Sequence, residues 1–141
     1  NDGYEIKNFK DEKGNLRSRP QSLDWQMKEG ITWSLISSGK LHFRYSPAGT
    51  LFDAAGSSLF AFSAPLEYIL GLVNSTVYEA CSSFLSATIT FEVGQLSKYP
   101  FIYSQENSDR VCLIVSECII DSRLDYDSFE TSWDFKRHPL V

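Results

Sequence analysis

Lys40, His42 and Arg44 recur at every second position of one short stretch, with Leu41, Phe43 and Tyr45 between and after them. An extended strand places such alternating residues on opposite faces, so the three polar side chains share one side. Three hydrogen-bond donors, two of them always cationic, suit a phosphate or the edge of a base. The plain alternative is an ordinary solvated hairpin face. A second group is Gln95, Ser97 and Lys98, between Gly94 and Pro100, in what reads as a loop able to reach a groove. A solvated loop is again the plain alternative. Trp33 and Tyr45 have rings that could stack on bases, but aromatics in such alternation more often belong to a core.

No catalytic constellation accompanies these residues. His42 and His138 lie far apart, and neither belongs to a His-Glu-x-x-His pair, which argues against zinc. Gly56-Ser57-Ser58 lacks the second glycine of a nucleophile elbow, and Gly71 and Gly94 stand alone rather than in a phosphate-cradling loop. Asp121, Asp125 and Asp127 lack the glycine and closing glutamate of a calcium loop, so they read as a solvated acidic surface. No catalytic residue and no metal ligand is therefore assigned. Cys81, Cys112 and Cys118 are odd in number and form no Cys-x-x-Cys pair, as expected of buried thiols in a reducing cytoplasm. Asn74-Ser75-Thr76 matches a glycosylation acceptor, but no secretory signal gives it weight.

The elements that must position these residues are read from periodicity. Residues 1–30 read as a polar leader of loop and turn, with Asp11–Asn15 as a solvated turn, Pro20 as its end and Trp25 as an anchor for the next segment. Ile31, Trp33 and Leu35 alternate with polar neighbours, Ser38-Gly39 signals a turn, and Leu41, Phe43 and Tyr45 resume the alternation: a β-hairpin. Short apolar pieces come next, at Leu51-Phe52 and from Leu59 to Phe62. The period then changes. Pro65 suits a first helical turn, and Leu66, Ile69, Leu70 and Val73 mark one helix face. Asn74-Ser75 interrupts it. Thr76-x-x-Glu79 reads as a capping box that starts a second helix with the stripe Val77, Cys81, Phe84, Leu85. Ala87 to Phe91 reads as a strand. A third helix is expected from an N-cap at Ser108, with Val111, Ile114, Val115, Cys118 and Ile119 inward. The sum is an α+β fold: a short-stranded mixed β region packed with three helices, forming one domain over 31–141.

Composition agrees with a single core. The chain has 141 residues, 43% of them hydrophobic and 14% aromatic, which argues against disorder, collagen and coiled coil. No apolar run approaches the roughly 18 residues of a membrane span, so a soluble, cytoplasmic protein without membrane contact is expected. The net charge is −5, unevenly spread: residues 1–50 hold eight Lys/Arg against six Asp/Glu, whereas 101–141 hold four against eight. Such a chain is no unselective nucleic-acid coat, which needs a broad cationic surface. The first residue is Asn1, followed by a polar stretch rather than a signal core, which reads as a segment of a longer protein.

Several motifs, in order, resemble PglX-like adenine-specific DNA methyltransferases of BREX phage-defence systems. They include Ile31-Thr32-Trp33-Ser34 with Ser38-Gly39-Lys40, then Arg44-Tyr45, Pro47, Gly49, Phe52-Asp53 and Gly56. Leu70-Gly71-Leu72-Val73-Asn74-Ser75 is similar to a leucine-rich helix of the target-recognition regions of such enzymes, and Phe91-Glu92-Val93-Gly94 with Tyr99-Pro100 to the markers that close that region. The run from Asp125 to Phe135 resembles a downstream signature, and Asn1 to Asn8 the stretch that precedes the region. The likeness covers nearly the whole chain; each motif is short, and their order and spacing carry it.

The resemblance implies a target-recognition region whose parent enzyme uses S-adenosylmethionine, with no cofactor held by this piece. The family's Gly-containing cofactor loop and its Asn-Pro-Pro-Tyr-type motif do not occur here, so the segment alone is expected to be inactive. The implied partner is double-stranded DNA, with the target adenine flipped into a catalytic domain elsewhere. Lys40, His42, Arg44, Gln95, Ser97 and Lys98 are the candidate DNA contacts. The leading alternative is an interaction module that docks other phage-defence subunits through the acidic, aromatic tail. An independent small-ligand domain ranks last, because no polar groups converge.

Overall fold

Alternation along the first hairpin organises the sheet. The computed structural model describes residues 3–18, 21–37, 40–53, 55–85 and 90–140. Strands β1 (Gly30–Trp33) and β2 (Phe43–Ser46) pair antiparallel, with Trp33 opposite Phe43 and Ile31 opposite Tyr45. A short β3 (Ser58–Leu59) joins the other edge of β1, also antiparallel, giving the order β2-β1-β3. Ile31, Trp33, Phe43 and Leu59 therefore share one face. Gly30, Thr32, Arg44 and Ser58 share the other. The hairpin read from the sequence is present, although β2 begins at Phe43, so Lys40 and His42 lie in the segment leading into it. Pro20, the Ser38-Gly39 turn and Ala87 to Ile89 lie outside the described residues. Thr90 bridges Ile36, and the Phe91 N–H donates to the Leu35 carbonyl at 2.7 Å, so the chain returns beside β1.

Three main helices complete the α+β architecture, after a short exposed α1 (Tyr4–Asn8) in the leading segment that the sequence reads as loop and turn. On α2 (Leu66–Val73), Leu66, Ile69, Leu70 and Val73 are all buried, as their spacing requires, and Pro65 is the N-cap rather than the first helical residue. These side chains meet Ile31, Trp33, Phe43, Tyr78 and Phe91 in one core. The rings of Trp33, Phe43 and Phe91 cross edge-on or tilted, with centroids 5.4–6.4 Å apart, an arrangement that adds specific attraction to area burial. The Trp33 indole donates to the Phe91 carbonyl at 3.0 Å, so its buried N–H is satisfied.

Two helix assignments need correction. On α3 (Thr76–Leu85) the inward residue is Tyr78, and Val77 and Phe84 face solvent. Phe84 is 87% exposed. The Leu85 side chain lies outside the description. The capping group is also one residue earlier: Ser75 Oγ accepts from the Tyr78 N–H at 3.3 Å. The expected start of the last helix at Ser108 is likewise too late. Helix α5 spans Gln105–Asp127, capped by Ser104, whose hydroxyl accepts from the Asn107 N–H. Ser108 is buried inside it, 3.3 Å from Tyr103 Oη. Val111, Val115 and Ile119 face inward, whereas Ile114, at 49% exposure, and Cys118 do not. The acidic residues from Asp121 to Asp127 form the last turns of this helix, most of them exposed.

Helix α5 lies on α2, and the contact depends on Gly71. A Cβ built there would stand 2.8 Å from Val115 Cγ2, closer than real carbon atoms approach. The layers are thus sheet, α2 and α5.

Candidate nucleic-acid interface

Phe43 points into the core, so its neighbours in the alternation point away from it. Lys40, His42 and Arg44 are all exposed, as their positions require. They do not share one set of partners. Lys40 Nζ lies 2.5 Å from Glu79 Oε1 on α3. Arg44 Nη2 instead donates to Ser34 Oγ at 2.7 Å, across the outer face of the hairpin. His42 stands with Lys40, Asn74, Ser82 and Tyr99 around a shallow cleft of about 50 Å³ at the α2–α3 junction. The cationic row thus runs from that junction onto the outer face of the sheet. Both ion pair and hydrogen bond are exposed, the kind of contact whose net worth is small and which phosphate can exchange into.

The segment with Gln95, Ser97 and Lys98 is not an irregular loop. Its first part is a single helical turn, α4 (Val93–Leu96), started by a capping box in which the Glu92 N–H donates to Gln95 Oε1 at 2.8 Å. The Ser97 hydroxyl donates to the Gly94 carbonyl at 3.0 Å, and Lys98 is exposed. Gln95 and Ser97 therefore have local structural work, and Lys98 is the exposed cation of the group. A larger cleft of about 380 Å³ separates α4 from α2 and the sheet, lined by Trp33, Leu59, Ile69, Leu96, Ser97 and Phe101 among others. Val73, Tyr78 and Tyr99 line both clefts, so the two groups adjoin across the tyrosines.

Asn74, read from periodicity as a helix break, holds the row in place. Its Oδ1 accepts from the Phe43 N–H at 3.0 Å, and its Nδ2 donates to the Phe43 carbonyl at 3.0 Å and to Leu70 at 3.1 Å. The side-chain amide acts as a one-residue neighbouring strand for the edge of β2. The Leu-Val-Asn-Ser order at the end of an apolar helix was the available sign, but its partner is visible only in three dimensions. Asn74→Ala is expected to cost about 1–3 kcal/mol, since it leaves the Phe43 backbone groups without a protein partner. Chemical denaturation checks this, and a midpoint equal to the wild type would show that water replaces the amide fully.

The tyrosines beneath the row sense high pH. Burial pushes the Tyr78 and Tyr99 phenols above the ordinary tyrosine value. Tyr78 donates to the Pro100 carbonyl and stacks on Tyr99, centroids 5.1 Å apart. Tyr99 Oη is enclosed without a hydrogen bond of good geometry, and the nearby Ser82 hydroxyl only partly offsets burial. A folded-state pKa above the unfolded one gives stability that is whole below pH about 10 and lost as pH rises through the folded values. Thermal melts on either side of that pH should show the decline, with a shallower one in Tyr99→Phe. Equal slopes in the two proteins would rule Tyr99 out as a cause.

The described residues contain no group of three or more His, Cys, Asp and Glu placed to hold a metal ion, and no helix long and apolar enough to cross a membrane. An α+β unit with an aromatic core and an exposed row of donors is thus the class that fold and surface define. No protein-family model matches the chain. It is 37% identical over 143 residues to the adenine-specific methyltransferase PglX of Lacticaseibacillus casei (strain Zhang), and 32% identical over 144 residues to the adenine-specific methyltransferase BrxX of Escherichia coli O9:H4 (strain HS). Both alignments cover all of this chain but only 12% and 11% of these curated relatives. The chain is homologous, along its whole length, to one region of adenine-specific methyltransferases.

Homology to methyltransferases implies S-adenosylmethionine for the parent enzyme. The larger cleft is lined by apolar side chains and a few hydroxyls, with no carboxylate for a ribose diol.

Proposed function

We propose that this chain is the DNA target-recognition region of an S-adenosylmethionine-dependent adenine-specific DNA methyltransferase, acting in the cytoplasm. The supporting observation is similarity over the full chain to two adenine-specific methyltransferases. In this reading residues 31–141 are the recognition domain, led by the polar segment 1–30. They hold the DNA that flanks an adenine, while a catalytic domain elsewhere in the polypeptide flips and methylates it. Lys40, His42 and Arg44 make the first contacts, with Lys98 beside them and Gln95 and Ser97 shaping its turn. The row lies in the one third of the sequence where basic residues outnumber acidic ones. Arg44, with its planar fork, suits guanine or a phosphate; Lys40 suits phosphate.

Titration with duplex DNA at two salt concentrations tests the reading. Phosphate contacts release counterions, so affinity should fall steeply with salt. Salt-insensitive binding to another phage-defence subunit, with no DNA binding by the intact enzyme, would favour the docking alternative through the acidic 101–141 segment. Incubation of the 141-residue chain with labelled cofactor and mixed DNA should give only background transfer.

A further inference from the structure

The sheet has two faces, and the helices cover one. On the other, Phe60 lies over Gly30, with ring atoms 3.1–3.2 Å from where a Cβ would stand. Trp25 packs on it, centroids 5.0 Å apart, and Phe52 does so from another side at 5.4 Å. Phe62 then caps Trp25 edge-on at 5.0 Å and is itself 83% exposed. Met27 and Leu51, both exposed, extend the patch along the same backbone pairing, in which the Met27 N–H donates to the Thr50 carbonyl.

This surface is held rigid before anything binds it. The Gln26 side-chain amide clamps Phe52 in both directions, accepting from its N–H at 3.1 Å and donating to its carbonyl at 3.2 Å. Lys28 Nζ sits 4.5 Å above the Trp25 ring and fixes it from outside. Rigid, clustered aromatics with Met at the edge are the composition of a protein-binding hot spot, where little ordering entropy remains to be lost. Contiguous apolar surface of this kind is uncommon on a free-standing protein. Among the described residues the immediate rim favours a protein over nucleic acid as the occupant: Asp24 and Asp53 are exposed carboxylates beside the patch, Lys28 is already engaged over Trp25, and Arg44, further along the same face, donates to Ser34.

We propose that the Trp25–Phe60–Phe62 patch is an intramolecular docking surface, covered in the intact methyltransferase by another part of the same polypeptide. The covering surface is apolar with a basic rim that complements Asp24 and Asp53. The relatives supply the material for it, since close to nine-tenths of their length lies outside the aligned region. The docking rests on the reading of this chain as one region of such an enzyme. The patch shares the outer face of the sheet with Arg44, the far end of the row, whereas Lys40 and His42 lie at the α2–α3 junction.

Hydroxyl-radical labelling read by mass spectrometry tests this on the 141-residue chain and on the intact polypeptide that carries it. Phe62 and Met27 should be labelled in the 141-residue chain and lose most of that labelling in the intact polypeptide without DNA. Phe62→Ser in the intact polypeptide should return labelling to Met27. Equal labelling of Phe62 in the two proteins would overturn the proposal. So would protection that appears only when a duplex is added, which would make the occupant nucleic acid. Protection that grows with the concentration of the 141-residue chain would overturn it in favour of a second copy. DNA affinity of the same intact polypeptide, measured separately, is where the recognition reading would fail; the docking fails on labelling alone.

Discussion

Trp33→Ala is expected to remove about 3–5 kcal/mol of folding stability, the range for truncating a large buried aromatic. Trp33 is 1% exposed, at the centre of the core, and touches the rings of Phe43 and Phe91. Its loss also strips the Phe91 carbonyl of the indole N–H, adding the cost of an unpaired buried acceptor. Because Phe43 anchors the row between His42 and Arg44, the damage should spread to that face. Phe84→Ala, an equal truncation by residue type, should stay within about 0.5 kcal/mol because its ring is exposed. Denaturant midpoints of the two variants check both statements. A small change for Trp33 or a large one for Phe84 would mean that the core lies elsewhere.

Gly71→Ala is expected to destabilise by about 1–3 kcal/mol, the cost of overpacking. The sign is informative. In a helix with open space around it, glycine to alanine stabilises by about 0.5–1 kcal/mol. Here the added methyl meets Val115 Cγ2 at 2.8 Å, and a β-branched side chain in a helix cannot turn aside. Helix α5 must move off α2 or α2 must bend. Adding Val115→Ala should recover a large part of the loss, and the double-mutant cycle measures how much. A stabilising Gly71→Ala, or one that Val115→Ala does not relieve, would contradict the close α2–α5 approach.

Periodicity is a good guide where a side chain's environment depends on its own neighbours in sequence. The hairpin and the inward face of α2 are of this kind: Trp33 and Phe43 alternate, and Leu66, Ile69, Leu70 and Val73 recur at three and four. It is a poor guide where an element's rotation is set from outside. On α3 the turn at Asn74, tied to the β2 edge, aims Tyr78 rather than Val77 inward. On α5 no Gly or Pro after Ile119 gives a stop signal; Arg123 and Leu124 are good helix formers among weaker Asp and Ser, and the helix continues past the core into solvent. The cationic row is legible from alternation alone. Its engagement is not, because Glu79 and Ser34 reach Lys40 and Arg44 from other elements. The capping box that orders Gln95 escapes a reading of the sequence because glutamate at 92 is a weaker N-cap signal than the serine or threonine usually sought.

Whether the row beginning at Lys40 touches DNA decides the proposed function. The direct measurement is the affinity of the intact methyltransferase for duplexes of varied sequence over a range of salt, as wild type, Lys40→Ala and Arg44→Ala. Lys40→Ala should weaken binding to every sequence alike and flatten the logarithmic salt slope by about one unit. If Arg44 reads a base, Arg44→Ala should cost about 1–3 kcal/mol and relax specificity at a single position. Unchanged affinity, specificity and salt slope in both variants would show that the hairpin face is merely solvated, and that DNA, if it is bound at all, lies elsewhere.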